Sequence, residues 1–464
     1  MVFSSLTFLF FFFLPATLII YYLVPKKAKN IVILLSGLIF YAWGEPIYVL
    51  AMILSTFIDY TAGRIIAKYD DKPKIRKACL IVSLVMNLGL LATFKYLGFI
   101  IESFNGWFGW EIPNPNLPLP IGISFFTFQS MSYTIDLYRR NINVQKSAVN
   151  FMAFVTLFPQ IVAGPIVRYE DVQREIDDRT ITERMLADGI SRFITGMGKK
   201  VLIANNIGAL WTQIKAMEYS TLSAGTAWLG ILAFTFQIYF DFSGYSDMAI
   251  GLGKMMGFNF PENFNYPYQS KSVSEFWRRW HITLGIWFRD YLYIPLGGSR
   301  NGKRRLLLSL FVVWTLTGLW HGAAWNFVLW GFVLFVFIAL EKFCIGGFLE
   351  RHRFLSRLYF LFLIPQTWVV FRISDLGELG DYFSRLYPFL SSGESVFAGD
   401  LLRQLESYWW LFALGILLAT PWPRRFYEKY RATPLVWLPL FAVFWLCLYL
   451  IATGTGNPFL YARF

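Results

Sequence analysis

Two of the chain's three histidines, His281 and His321, directly follow a tryptophan and lie within forty residues of each other. His281 is in "SEFWRRWHITLGIWFRDYLYIPLGG" and His321 is in "TGLWHGAAWNF", and both stretches belong to a very apolar chain. An ionisable side chain within a bilayer is costly when charged, so it is a candidate functional group. Histidine can remain neutral there and still accept or donate a proton near pH 7. The third histidine, His352, is in the basic sequence "LERHRF" and is expected at a solvated interface.

Simple packing, metal binding and serine chemistry account for this histidine pair less well than proton transfer does. A buried histidine is often only a hydrogen-bonded packing residue, but two in such polar stretches favour a functional role. Metal binding is disfavoured because no H-x-x-x-H, H-E-x-x-H or C-x-x-C spacing occurs. No G-x-S-x-G signals a serine nucleophile. The residues favour a histidine base or acyl acceptor in a membrane-embedded tunnel.

The composition predicts an all-α polytopic membrane protein. Of 464 residues, 56% are hydrophobic and only 15% are charged, against about 25% charged in soluble domains. The apolar residues form blocks long enough, or nearly so, to cross ~30 Å of hydrocarbon as helices. These blocks are residues 6–23, 47–66, 80–101, 228–240, 306–319, 327–340, 358–370 and 435–451. We expect one membrane domain over residues 1–464, with a polar catalytic core at about 241–330.

Basic residues recur in short loops, and this pattern predicts the topology. Lys26, Lys27 and Lys29 follow the first apolar block, and 68–77 is also basic, whereas 105–118 contains no Lys or Arg. The positive-inside rule therefore puts the basic loops in the cytoplasm and the N-terminus outside. About twelve crossings follow, within a range of 10–13, and they leave the C-terminus outside as well. The net charge of +13 thus comes mostly from the basic residues of these cytoplasmic loops, and no nucleic-acid partner is expected.

The stretch around His281 has a helix-start signal. Ser272 precedes Glu275 by three residues, as in a capping box. The predicted helix runs to about Phe288, with Trp277, His281, Leu284 and Phe288 on one face and an Arg279–Glu275 pair on another.

Two segments are too irregular to be spanning helices. Residues 151–167 contain "FPQIVAGPIV", whose prolines and glycine break a helix, so a re-entrant segment is expected there. Residues 257–269, "GFNFPENFNYPYQ", lead into the His281 stretch. The charged residues 168–184 are expected at the cytoplasmic surface.

Three acids within apolar stretches have an ordinary structural role. Asp136, Asp241 and Asp247 are expected to pair with Arg139, Lys254 or backbone groups rather than to act in catalysis.

Long motifs along nearly the whole chain resemble the membrane-bound O-acyltransferase (MBOAT) family, in its alginate O-acetylation (AlgI) branch. They are "MVFSSLTFLFFFFLP", "LPIGISFFTFQSMSYTIDLYR", "FPQIVAGPIVR", "YFDFSGYSDMAIGLGKMMGF", "ENFNYPY", "EFWRRWHITLGIWFRDYLYIPLGG", "GLWHGAAW" and "NPFLY". The resemblance implies that His321 is the catalytic histidine and His281 the second histidine of the active-site region. It also implies a ring of helices around a central tunnel.

The resemblance implies a function for the polar core as well. The branch takes acetyl from cytosolic acetyl-CoA, a donor substrate rather than a permanently bound cofactor. It passes the acetyl outward through the bacterial inner membrane, commonly to a periplasmic or extracellular SGNH-type acetyltransferase that modifies a polysaccharide. Arg278, Arg279 and Arg289, together with Trp280, would then line the donor tunnel, because arginine suits phosphate groups. Interfacial anchoring by snorkelling accounts for these arginines equally well.

Several functions stay open from the sequence. The acceptor could be alginate, peptidoglycan or another exopolysaccharide. A sister activity transfers D-alanine from a carrier protein to teichoic acid. A flippase or channel without acyl chemistry, or a non-catalytic scaffold, is an alternative of a different class, although no transporter-like internal repeat is visible.

Overall fold

The apolar blocks are helical in the computed structural model of the chain, which describes residues 13–387 and 399–454 together with residues 5, 8, 389, 459 and 460. Within these residues no β-strand is formed, and the single β-bridge joins Phe264 to Trp280. The predicted all-α class is confirmed. Residues 6, 7 and 9–12 of the apolar block at 6–23, and most of the "NPFLY" motif, lie outside the described residues.

Twenty-one α-helices follow one another along the described residues. They are α1 Phe13–Leu23, α2 Lys29–Gly44, α3 Val49–Lys68, α4 Pro73–Leu91, α5 Leu97–Phe108, α6 Ile123–Tyr138, α7 Ala148–Val155, α8 Tyr169–Asp177, α9 Glu183–Gly198, α10 Asn205–Lys215, α11 Ala224–Met255, α12 Val273–Arg279, α13 Ile282–Phe288, α14 Gly302–His321, α15 Trp325–Leu340, α16 Gly346–Arg351, α17 Arg353–Arg372, α18 Leu376–Leu386, α19 Asp400–Leu418, α20 Trp422–Tyr430 and α21 Pro434–Thr453. Four π-helical turns adjoin them, at Ala92–Tyr96, Lys199–Ala204, Arg289–Tyr293 and Glu341–Ile345.

Five helical stretches among the described residues have the length and hydropathy to cross a membrane. They are Val49–Lys68, Pro73–Phe108, Trp325–Arg351, Arg353–Arg372 and Pro434–Thr453. Large hydrophobic side chains are exposed along them, as helices facing lipid require. The protein is therefore a multi-pass membrane protein. The larger number of 10–13 spanning helices and their ring arrangement stay predictions.

The chain divides into two compact units, and the first comprises Met1–Thr195, Tyr245–Glu262 and Ile451–Arg463. In this unit α3, α4 and α6 pack around the buried carboxylate of Asp59. Asn87 Nδ2 donates to both carboxylate oxygens at 2.9 Å, and Ser83 donates to one of them. Buried polar contacts of this kind hold helices together where lipid gives no hydrophobic driving force.

Both segments that were predicted to be irregular are irregular in the structure. Helix α7 ends at Val155, and turns carry the chain to residue 168 with nearly every side chain buried. Gln160 Nε2 donates to the carbonyl oxygen of Phe154 at 3.0 Å, which satisfies one backbone group freed by the break. The break is confirmed, whereas re-entry into the membrane stays a prediction. Residues 257–269 contain no α-helix, also as predicted.

The second unit, Gly196–Gly244, Asn263–Leu450 and Phe464, carries both tryptophan-flanked histidines. Its helices α14 and α15 approach closely because glycines face backbone at the crossing. A Cβ atom on Gly318 would collide with the carbonyl of Phe327, and one on Gly331 with the carbonyl of Trp314. This close packing fixes the end of α14, where His321 lies.

Two of the three acids in apolar stretches form ion pairs, but with basic partners other than those predicted. Asp241 pairs with Lys200 at 2.5 Å, and Asp247 pairs with Arg192 at 2.8 Å. Lys254 cannot reach Asp241, because the two positions are 13 residues apart on the same helix, or about 20 Å along its axis. Asp241 and Lys254 are too far apart along one helix to form an ion pair. The basic partners, Lys200 and Arg192, come from other parts of the chain.

Candidate active site

The helix predicted from Ser272 to Phe288 is interrupted at His281, so that prediction is wrong. Helix α12 ends at Arg279, Trp280 is extended, and His281 has φ 45° and ψ 54° before α13 begins at Ile282. A left-handed backbone is uncommon for a residue other than glycine and marks a constrained position. The shared face of Trp277, His281, Leu284 and Phe288 therefore does not exist as a continuous helical stripe.

Backbone pairing with residues 263–265 causes the interruption. Asn265 N donates to Arg279 O at 2.9 Å, and Ile282 N donates to Asn263 O at 3.0 Å. The Phe264 and Trp280 rings pack at 5.1 Å in the same register. These contacts draw the backbone at residue 280 into an extended conformation, which a helix cannot accommodate.

The N-cap at Ser272 and the Arg279–Glu275 pair are confirmed, but the full capping box is not. Ser272 Oγ accepts from Glu275 N at 3.0 Å, and Glu275 pairs with Arg279 at 2.8 Å. The Glu275 carboxylate accepts from Lys271 N rather than from Ser272 N, so the reciprocal bond of the predicted capping box is shifted by one residue.

His321 is the last residue of α14 and is 3% exposed. Its imidazole contacts the rings of Trp330 at 5.1 Å and Phe371 at 5.3 Å. The backbone packs tightly just after it, because a Cβ atom on Gly322 would collide with the Phe327 ring. This histidine is thus held in an aromatic enclosure by close backbone packing.

The ring of Trp320 joins the two histidines. Its centroid lies 5.8 Å from that of His281 and 5.0 Å from that of His321. The structure therefore brings the two predicted histidines into one buried aromatic cluster. His352, by contrast, is exposed, as the sequence predicts.

An open cavity of about 950 Å³ has His281 among its lining residues and is otherwise lined mainly by residues of α12–α17. Basic side chains outnumber acidic ones in its lining. The basic residues are Lys271, Arg278, Arg289, Lys342 and Arg353, and the acidic residues are Glu275, Glu341 and Glu350. Its volume lies at the upper end of the ~300–1,000 Å³ typical of ligand pockets. The cavity has the size and charge to hold an anionic organic molecule.

The predicted donor-tunnel residues separate into two groups. Arg278, Arg289 and Trp280 line the cavity, and both arginines are exposed there. Arg279 does not line it; its guanidinium bonds Glu275 and the carbonyl of Asn265. His321 does not line it either, and lies beyond Trp320.

Glu341 was not singled out from the sequence, yet it holds α12 in place. Its two carboxylate oxygens accept from Val273 N at 2.6 Å and Ser274 N at 2.8 Å, which are N–H groups of the first helical turn without a partner inside the helix. A carboxylate is well suited to this end of a helix dipole. The signal available was an acid within the apolar run "FVLFVFIALEKF".

Asn263 was also missed, although its motif "ENFNYPY" was noted. Its side-chain oxygen lies 3.1 Å from His281 Nδ1. An asparagine in a loop carries no local pattern that indicates such a contact, because the partner is 18 residues away.

These helices and this site define a multi-pass α-helical membrane protein with a buried histidine pair next to a basic cavity. The model of MBOAT, the membrane-bound O-acyltransferase family, matches residues 122–370, which include both histidines. The chain belongs to this family and is an O-acyltransferase, which uses an acyl donor.

Named relatives agree with this assignment. The chain is 41% identical over 396 residues to the probable alginate O-acetylase AlgI of Pseudomonas aeruginosa, covering 84% of this chain and 75% of that protein. It is 32% identical to the peptidoglycan O-acetyltransferase of Helicobacter pylori, over 81% of this chain and 78% of the relative. It is 30% identical to the teichoic acid D-alanyltransferase of Bacillus subtilis, over 46% of this chain and 56% of the relative.

Proposed function

We propose that this protein moves acetyl groups through the membrane for O-acetylation of an extracytoplasmic polysaccharide. The observation that carries the proposal is the similarity to polysaccharide and peptidoglycan O-acetylating enzymes over four fifths of the chain. The final acceptor is a hydroxyl of the polymer, which the acetyl group reaches through a partner protein, and we leave the polymer among alginate, peptidoglycan and other exopolysaccharides.

The proposed acyl donor is acetyl-CoA from the cytosol. Its phosphates are anionic, and the cavity presents Arg278 and Arg289 beside a majority of basic side chains. Guanidinium groups bind phosphate oxygens through paired, charge-assisted hydrogen bonds. The Trp280 ring, which also lines the cavity, offers an apolar wall for the uncharged part of the donor.

The proposed chemistry places His321 at the acyl transfer step. As a base, its imidazole takes the proton of the acceptor hydroxyl while the oxygen attacks the thioester carbonyl. The C–S bond then breaks, and the imidazolium returns the proton to the leaving thiolate. Alternatively, His321 carries the acetyl group briefly between donor and acceptor. In either case His281 orients a reacting group on the donor side, and the acyl group passes Trp320, whose ring contacts both histidines.

The same proposal includes where the enzyme works. We place it in the bacterial inner membrane as a single domain over residues 1–464 with its polar core at about 241–330, and with both termini outside. A periplasmic or extracellular SGNH-type acetyltransferase receives the acetyl group. No permanently bound cofactor is needed for these steps.

D-alanyl transfer from a carrier protein is the rival acyl chemistry, and it has less support because that similarity covers under half of the chain. Membrane vesicles carrying the chain and its partner can be supplied on the cytoplasmic side with labelled acetyl-CoA or labelled D-alanyl carrier protein. We expect label on the polymer only from acetyl-CoA. Label only from the D-alanyl carrier protein would overturn the proposal.

A flippase, channel or non-catalytic scaffold would not need His321 as a base. Under those alternatives polymer export or partner recruitment would continue, and acetylation with it, after His321 is replaced by glutamine.

A further inference from the structure

The side chain of Asn263 is fully buried and its Oδ1 atom meets three groups of the His281 turn. Oδ1 lies 3.1 Å from His281 Nδ1, 2.9 Å from Thr283 Oγ1 and 3.3 Å from Thr283 N. The backbone of the same asparagine accepts from Ile282 N. One residue therefore contacts the histidine and the two residues that follow it.

These contacts determine which imidazole nitrogen carries the proton. The N–H of Thr283 can only donate, so the atom of the Asn263 amide that faces it has to be the oxygen. A nitrogen of His281 that faces this oxygen has to donate as well, which makes it Nδ1–H. In the neutral ring Nε2 then carries the lone pair and is the atom able to accept a proton or hydrogen bond.

The left-handed backbone of His281 also depends on hydrogen bonds to the Asn263 segment. Its φ of 45° is unfavourable for a residue with a Cβ atom, and two flanking backbone hydrogen bonds hold it, from Ile282 N to Asn263 O and from Asn265 N to Arg279 O. Phe242 packs edge-on against the imidazole at 4.8 Å with the ring planes perpendicular, and the Trp320 ring lies 5.8 Å from it. The orientation of the imidazole is thus limited by two rings and one acceptor.

We propose that Asn263 is a positioning residue, which holds His281 as the Nδ1–H tautomer so that Nε2 is the nitrogen that accepts a proton or a hydrogen bond. Its catalytic importance rests on the proposed function, but the tautomer does not. In functional histidines, the hydrogen bond made by one ring nitrogen commonly determines whether the other nitrogen is free to accept a proton.

Nitrogen-15 NMR of the imidazole rings tests the tautomer directly, since the chain has only three histidines. His281→Gln and His352→Asn variants identify the signals. In the unaltered protein near pH 8 we expect His281 to show a protonated Nδ1 and an unprotonated Nε2. A protonated Nε2 would overturn the proposal, whatever the enzyme is found to acetylate.

Two substitutions test the positioning role. Asn263→Asp keeps an acceptor oxygen and should retain the Nδ1–H signal. Asn263→Leu has a similar size but no acceptor, and should lose the tautomer preference and lower kcat about a hundredfold, with KM for acetyl-CoA unchanged. If the leucine variant keeps both the tautomer and kcat, Asn263 does not position His281. If it fails to accumulate, the spectra of the unaltered protein and of Asn263→Asp still decide, because the loss of Nδ1–H in either contradicts the proposal.

Discussion

At the scale of single residues, the two histidines could be found from the sequence. The residues that hold His281 and its preceding helix in place, Asn263 and Glu341, could not. Both histidines stand out because ionisable groups are rare in apolar helices. Asn263 and Glu341 act through contacts with residues 18 and 68 positions away, and no local spacing encodes such pairs. The sequence predicted the Arg279–Glu275 pair, but it did not show that only Arg278 lines the cavity, because the position of the cavity depends on how the helices pack.

The different positions of Arg278 and Arg279 give a prediction for donor binding. Arg278→Gln should raise KM for acetyl-CoA about ten- to a hundredfold, because one charge-assisted contact contributes roughly 1.5–3 kcal/mol. Arg279→Gln is the matched control: its guanidinium bonds Glu275 and Asn265 outside the cavity lining, so KM should change little. Steady-state kinetics on vesicles with equal protein content give both values. Unchanged KM in the Arg278 variant, with less folded protein, would favour interfacial anchoring as the role of this arginine.

At the scale of elements, apolar block length predicted helices well, and the predicted breaks at 151–167 and 257–269 are present. The failure at His281 has a physical cause. Helical periodicity within 272–288 continued smoothly, whereas the interruption comes from pairing with residues 263–265, a tertiary contact. A strained turn that contradicts its own local pattern is expected where function requires a particular side-chain orientation.

The cap on α12 yields a prediction at this scale. Glu341→Gln removes the charge from two hydrogen bonds to the start of the helix that carries Arg278, and should lower the free energy of unfolding by about 2 kcal/mol. Thermal unfolding in detergent measures the effect as a lower midpoint. Glu350→Gln is the control, because Glu350 lines the same cavity but is exposed. Equal midpoints for the two variants would refute the capping role.

At the scale of the whole molecule, composition and loop charge were enough to predict a multi-pass membrane protein. The number of membrane crossings is harder to predict. Several helices are short, interrupted by π-helical turns or largely buried in protein, so hydropathy alone does not identify them as spanning helices. Within the described residues, five helical stretches are both long enough and apolar enough to cross a membrane.

Topology can be measured by cysteine labelling. The background needs Cys79, Cys344 and Cys447 replaced, since Cys344 is exposed. In that background Lys72→Cys should react with a membrane-impermeant reagent only after the cytoplasmic side is opened, and Glu111→Cys should react from outside. Both positions are exposed, so access is limited by the membrane rather than by burial. Labelling of Lys72→Cys in sealed cells would reverse the predicted orientation.

The central claim is that His321 takes part in acyl transfer, and glutamine tests it most directly. Glutamine keeps polarity and roughly the volume of histidine but cannot shuttle a proton at neutral pH, and general-base assistance typically contributes roughly 10²–10⁴-fold. The measurement is acetyl ester on the exported polymer, with the amount of each variant in the membrane determined in parallel. We predict that His321→Gln, like His321→Ala and His321→Asn, reduces acetylation to background, and that His281→Ala impairs it less completely. Full acetylation by a well-expressed His321→Gln variant would contradict the account.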